Sequence, residues 1–407
     1  MLKYKNLNLV YIIISLILLL FYGHQIISAI NESDEYNQPI FRLILVFLWV
    51  LNLIVIVVNF RYVINLYSPI ATVFKGLFFF LLIVFLFLAD PKQTIGTNIF
   101  KSLALLLPPL TFLGFYGVFR KSNFNKLLPR LFIPIFLALV YVYYTQYSVL
   151  IASLDIENKA YNSSYVPLFV LPIILCLEKK WLRTGAIVLV AIVILSSNKR
   201  GGFVGFSLAM ILYFIITGAI STKRVSMIKK MAIVFILLFG IWKIYDFIES
   251  SSDNFFLYRL EKLQEDGGSG RVDIYMQVLN GIVDSNFVEL LLGHGDNQVA
   301  YLTREGYSSH NDFLEVLYCY GILVFFIYLM LHYLLIKKAL FLFKSKNKFA
   351  GPMSVSVVIF FIFSMISHVI IYQYFIFLVI FWAMVIGTTD RVQINENRNR
   401  RLNSFTK

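Results

Sequence analysis

Apolar runs of about 20 residues, separated by short polar breaks, set the internal scale of this chain, and about 20 residues is the helical length that crosses a bilayer. Twelve such runs stand out, at 9–30, 40–60, 68–89, 98–119, 127–150, 161–177, 181–197, 201–220, 228–247, 312–336, 352–371 and 372–388. Stretches such as Ile12-Ile13-Ile14-Ser15-Leu16-Ile17-Leu18 do not alternate every second residue, so the strands of a membrane barrel are excluded. The rhythm breaks once, over roughly 60 residues from 248 to 311. The pattern predicts an all-α polytopic membrane protein of about 12 transmembrane helices with one large external helical loop between spans 9 and 10. Its divisions are 1–247 for helices 1–9, 248–311 for the external (periplasmic) loop, 312–388 for helices 10–12 and 389–407 for a cytoplasmic tail.

Composition strengthens that reading. Of 407 residues, 59% are apolar and only 14% are charged, against roughly 45–50% and about 25% in soluble domains. A water-soluble fold would have no polar surface left to show. The formal net charge of +14 suggests nucleic acid until the charges are placed. With an even number of spans and the N-terminus inside, most Lys and Arg fall on cytoplasmic segments. They cluster at Arg120/Lys121/Lys126/Arg130, at Lys223/Arg224/Lys229/Lys230 and at Lys337/Lys338/Lys344/Lys346/Lys348. This is the positive-inside bias, and it accounts for the basicity without a nucleic-acid partner. Cys176 and Cys319 both fall inside predicted spans, which predicts no disulfide framework and no metal cluster. The first span follows Lys3 and Lys5, is too long for a signal h-region, and is expected to remain as an anchor.

The long loop is too apolar for disorder and reads as two short helices. Phe255, Phe256, Leu260 and Leu263 precede the breaker Gly267-Gly268-Ser269-Gly270, and Val272, Tyr275, Met276, Leu279 and Ile282 then form one apolar stripe. A second break, Gly293-His294-Gly295, leads into a polar stretch ending at His310. Candidate chemistry gathers around these breaks. Lys199-Arg200 sits in an external turn against the charge bias, at the start of span eight, where free N–H groups favour an anion; the plain alternative is an arginine snorkelling to lipid phosphates. Arg271 follows a glycine-rich segment at a helix start, which suits a phosphate or is merely a hinge with a surface pair to Asp273. Ser309 and Asp312 fit a capping box opening span ten, which would put His310 in the first helical turn with its pKa lowered by the helix dipole. His24, His294, His310 and His368 map to the outer half, and His332 to the cytoplasmic end. Glu32-Ser33-Asp34 is an acidic pair better read as a solvated patch than a metal site.

In chain order, Asn198-Lys199-Arg200-Gly201-Gly202, Gly270-Arg271-Val272-Asp273-Ile274-Tyr275, Gly293-His294-Gly295 and Ser309-His310-Asn311-Asp312-Phe313-Leu314-Glu315, ending at Tyr320-Gly321-Ile322, resemble the O-antigen ligase and O-antigen polymerase superfamily. The resemblance covers roughly 195–325. It implies a multi-pass protein of the bacterial inner membrane with both termini cytoplasmic and a periplasmic active site. It implies transfer of a glycan from an undecaprenyl diphosphate carrier to an acceptor hydroxyl, with no cofactor and no metal. On the matching positions, His310 is the catalytic residue, Arg200 and Arg271 meet the carrier diphosphate, and Asn311 and His294 join the substrate site. The family turn is often Ser/Thr-Arg, whereas Asn198-Lys199 stand here, so Lys199 is expected to share the phosphate role. The implied partners are the lipid-linked oligosaccharide and membrane lipids, with a chain-length regulator as a further candidate. A repeat-unit polymerase is the first reading and a ligase onto lipid A core the second. A transporter of lipid-linked oligosaccharide is a third, which would call for two related halves or charged, broken helices at mid-membrane.

Overall fold

The computed structural model describes residues 2–29, 39–64, 68–88, 94–152, 162–197, 199–220, 271–304, 306–367, 369–370 and 374–405. Fifteen α-helices run through them: α1 Leu2–Ala29, α2 Pro39–Val58, α3 Phe60–Ile64, α4 Pro69–Phe87, α5 Ile95–Lys121, α6 Leu127–Ala152, α7 Tyr165–Ile174, α8 Lys180–Ser196, α9 Arg200–Ile220, α10 Arg271–Val283, α11 Phe287–Leu292, α12 Gln298–Leu302, α13 Asp312–Lys344, α14 Ala350–Ile366 and α15 Phe375–Phe405. No strand occurs among the described residues, and the chain is an all-helical, multi-pass membrane protein.

Each run expected to span coincides with a helix except 228–247, which lies outside the described residues together with the first half of the external loop and its Gly267–Gly270 breaker. Seven of the described helices are long and apolar enough to cross a membrane: α2, α4, α5, α6, α9, α13 and α15. Shorter apolar helices include α7, α14 and residues 6–22 of α1. Helix α7 carries Pro172 in its interior, which removes one backbone donor, and is buried along its length.

Two helices form the centre. The apolar windows of α5 and α15 are 89% buried, and Gly387 lets α15 rest on the backbone of α5 at Tyr116 and Arg120. A hydrocarbon surround offers polar groups no water, so buried ones must find protein partners. Asn52 does so by accepting from Tyr11 Oη at 2.7 Å and donating to Leu48 O at 2.8 Å. Trp382 likewise donates to Ser356 Oγ at 2.9 Å. Helix α13 is broken by Gly321 at φ 76°, ψ 174°, and that break receives the helical cap at Gly293.

The cap helix α10 is present where expected, but it presents a different face. Val272, Met276 and Leu279 are exposed, while Ile274 and Val278 are buried. The cause is Gly281, whose missing side chain admits Leu302 Cδ2 and Tyr318 Cε2 to 2.7 and 3.0 Å of its Cβ position. A count of apolar residues gives glycine no weight, so the closely packed side of the helix went unread.

Candidate functional site

Three segments meet at one end of α9, α13 and α14. Helix α9 begins at Arg200, and Gly201 brings it directly against Ile366, the last residue of α14. A methyl group at 201 would collide with the Ile366 side chain. Helix α10 begins at Arg271, whose Nη1 donates to Ile366 O at 3.2 Å. The carbonyl belongs to the last turn of α14, where backbone oxygens lack helical partners. Ile366 thus ties the start of α9 to the start of α10, two points roughly 70 residues apart along the chain.

His310 stands beside them. The positive charges of Arg271 and Lys199 both act on its imidazole. Its pKa is held down to about 4, mainly by burial and then by those two cations, so the ring is neutral at pH 7. Lys199 is half-buried and its carbonyl accepts from Phe203 N in the first turn of α9. Arg200 opens the same turn, but its side chain is outside the described residues, as are Asn198 and His368 and the side chain of His24.

The expected capping box is replaced by a different arrangement. The N-cap of α13 is Asn311, whose Oδ1 accepts from Phe313 N at 2.9 Å and Leu314 N at 3.3 Å. Ser309 is drawn instead to Glu315, whose Oε2 accepts from Ser309 N at 2.9 Å and from Ser309 Oγ at 2.8 Å. His310 therefore lies outside the helix, in a left-handed conformation at φ 51°. Such a backbone costs about 1–2 kcal/mol for a residue with a Cβ, and strain of this kind gathers at functional positions. The cause of its lowered pKa is burial beside cations, not a place within the helix.

Sequence reading also missed the second support. Asp312 is fully buried and accepts from Tyr328 Oη at 2.6 Å, Val369 N at 3.0 Å and Ile370 N at 3.2 Å. Tyr328 also meets Ser364 Oγ at 2.7 Å. Glu315 thus holds the strand of chain that delivers His310, and Asp312 holds the segment just past Ile366, on which Arg271 rests. Both carboxylates belong to the first turn of α13, where the helix dipole favours them. The only sequence signal for this was two acidic residues at the start of an apolar helix.

His294 has a different set of partners. Its ring stacks on Tyr318 at a centroid distance of 4.2 Å and one nitrogen meets Ser285 Oγ at 2.8 Å. Its backbone N donates to Tyr318 O at 3.0 Å, and Gly295 N to Cys319 O at 2.9 Å. These are carbonyls that the break at Gly321 frees from α13. A Cβ on Gly293 would strike Cys319 O and come to 2.6 Å of Gly321 N. The two glycine motifs are thus one backbone clasp that seats the cap on α13.

Below the cationic group, α9, α13 and α14 enclose an apolar groove of about 490 Å³ lined by residues such as Leu208, Ile215, Phe361 and Ile362. Leu208 is eight residues along α9 from Arg200, about 12 Å. Among the described residues no group of His, Cys, Asp and Glu is placed to hold a metal ion. What this arrangement can do is bind a strongly anionic headgroup at Arg271 and Lys199 while offering a neutral imidazole next to it.

Residues 185–329 match the family model described as O-antigen ligase. No curated protein matches the chain in direct sequence comparison. The match begins in α8, contains Lys199, Arg271, His294 and His310, and ends inside α13, so Ile366 and its neighbours support the site from beyond it. Over this stretch the chain is similar to the O-antigen ligase family.

Proposed function

We propose that the protein is a polymerase of O-antigen or a similar surface polysaccharide, acting on the external face of the bacterial inner membrane. It transfers a glycan from undecaprenyl diphosphate to the terminal sugar hydroxyl of another lipid-linked repeat unit. The observation that carries this reading is the convergence of Arg271, Lys199 and the start of α9 on His310.

In this reaction the bond between the anomeric carbon and the diphosphate breaks, and a bond from that carbon to the acceptor oxygen forms with inversion. The diphosphate leaves with the electron pair, and the hydroxyl proton goes to the His310 imidazole. Arg271, Lys199 and Arg200 stabilise the charge on the departing phosphates, with the guanidinium groups suited to bidentate contacts. The amide nitrogen of Asn311 is free of capping duty, which leaves it as a donor toward the acceptor. The polyprenyl tail of the carrier lies in the apolar groove beneath.

The low pKa of His310 fits a base that works only in the filled site. Without the diphosphate, Arg271 and Lys199 oppose protonation. A bound diphosphate offsets those charges and brings the imidazole closer to the operating pH, where a general base is most effective.

The family model's description favours a second reading, a ligase that moves the finished glycan onto lipid A core. The two share a donor and differ in acceptor, so one assay separates them. The purified chain is incubated with lipid-diphosphate-linked oligosaccharide alone and the products are resolved by repeat number. A ladder that disappears in Arg271→Ala supports the polymerase. A single shift appearing only with added lipid A core makes it a ligase. Neither product, with a substrate active in a control reaction, overturns both and returns the transporter reading.

A further inference from the structure

At the opposite end of α14 from Ile366, about 25 Å away along its 17 residues, a cavity of about 190 Å³ opens between the starts of α6, α8 and α14 and the end of α7. Lys126, Arg130, Arg183 and Lys348 line it, with Glu178 as the one acidic residue on its wall. Glu178 pairs with Lys126 at 2.9 Å and Arg130 at 3.8 Å, and its carboxyl pKa is lowered, chiefly by Lys126. Neither Arg183 nor Lys348 is in an ion pair with a carboxylate among the described residues. The cavity therefore keeps a clear excess of positive charge.

The positive-inside bias explains why cations lie at this end but not why they share one hollow. That bias needs cations on the loops, whereas here they converge from three separate segments onto one hollow. One helix start adds to the same field: the N-cap of α8 is Lys179, whose side chain does not cap the helix, so the N–H groups of its first turn favour an anion. The walls are also partly apolar, with Leu175, Leu177 and Phe349, and Trp181, 69% exposed at the start of α8, is a residue type that sits at the membrane interface.

We propose that this cavity binds the phosphate headgroup of an anionic phospholipid from the membrane leaflet at that end of the bundle. Arg183 and Lys348 meet the phosphate, and Phe349 and the two leucines meet the glycerol and the first methylenes. The site is separate from the His310 group and does not depend on the reaction catalysed there.

The test is lipid binding to the purified full chain in neutral detergent, read by native mass spectrometry and by thermal unfolding. Phosphatidylglycerol should bind and raise the unfolding temperature, and phosphatidylcholine should do neither. Arg183→Gln with Lys348→Gln should unfold at the wild-type temperature without lipid and bind phosphatidylglycerol about thirtyfold more weakly, at roughly 1 kcal/mol per cation. The charge-conserving pair Arg183→Lys with Lys348→Arg should retain most of the binding, and Glu178→Gln should tighten it. Equal binding of the two lipids, or unchanged binding in the double glutamine variant, would overturn the proposal. Full stabilisation by inorganic phosphate alone would overturn the lipid assignment.

Discussion

His294 and His310 lie in neighbouring motifs of the family-matched segment, yet the structure treats them in opposite ways. His294 is built into a clasp: its ring is stacked on Tyr318, one nitrogen meets Ser285, and its backbone closes onto carbonyls freed by Gly321. His310 is held by its neighbours, through Ser309 to Glu315 on one side and the Asn311 cap on the other. Its own backbone is strained at φ 51° and its ring faces two cations. The difference separates a histidine fixed by contacts on its ring from one whose backbone is placed by its neighbours, and the proposed roles follow that division. Stacking and a hydrogen bond hold the ring of the first, and a left-handed backbone beside two cations marks the second.

The comparison can be broken most forcefully at His310. Replacing it by Ala should lower turnover by about 10²–10⁴-fold, the usual share of a general base, with little change in thermal stability because its supports remain. Arg271→Ala should cost on the order of 3–4 kcal/mol of transition-state stabilisation, by analogy with loss of an oxyanion donor. Lys at 271 should recover only part of that, since an ammonium cannot make the two parallel contacts. Initial rates of chain extension check both.

On the structural side, Gly293→Ala should destabilise the protein by more than about 3 kcal/mol. It combines a left-handed backbone with a methyl group driven into the carbonyl of Cys319. His294→Ala should cost about 1–2 kcal/mol of stability for the lost stacking and hydrogen bond, and should change turnover only a few-fold. Thermal unfolding of the purified variants separates these from the site variants.

The smallest effect is one of pH. The base must be neutral to accept a proton, so activity should fall as pH drops through the pKa of His310. In the free protein that pKa is about 4, so kcat/KM should hold down to that region. The acid limb of kcat should lie higher, because the bound diphosphate offsets Arg271 and Lys199. In Arg271→Lys the charge is kept and the kcat/KM limb should stay low, whereas in Arg271→Ala it should move up toward the ordinary histidine range.

Much of this was legible in the sequence, for physical reasons. Spanning helices announce themselves because a bilayer demands long apolar runs, and α2, α4 and α13 begin within a few residues of where those runs do. Lys199 and Arg271 could be singled out because each is a cation at a helix start on the side that the charge bias disfavours, and His310 because it stands at the start of a spanning run. The start of α13 was misread because Ser309-x-x-Asp312 satisfies a local consensus, while two other contacts decide the outcome. Glu315 captures Ser309 and Asn311 takes the cap. The role of Asp312 could not be seen, since Val369 and Ile370 are brought to it by α14 and Tyr328 lies beyond the break in α13. Nor could Ile366, which contributes a carbonyl oxygen to Arg271 and a plain apolar side chain against Gly201.

The most direct test of the account compares the two histidines in one assay. Wild-type protein, His310→Ala and His294→Ala, matched for folded fraction, are given lipid-diphosphate-linked oligosaccharide, and initial rates of ladder formation are measured. The account predicts a ladder from wild type and from His294→Ala at rates within a few-fold, and a loss of at least about a hundredfold in His310→Ala. A His310→Ala ladder at the wild-type rate would contradict it.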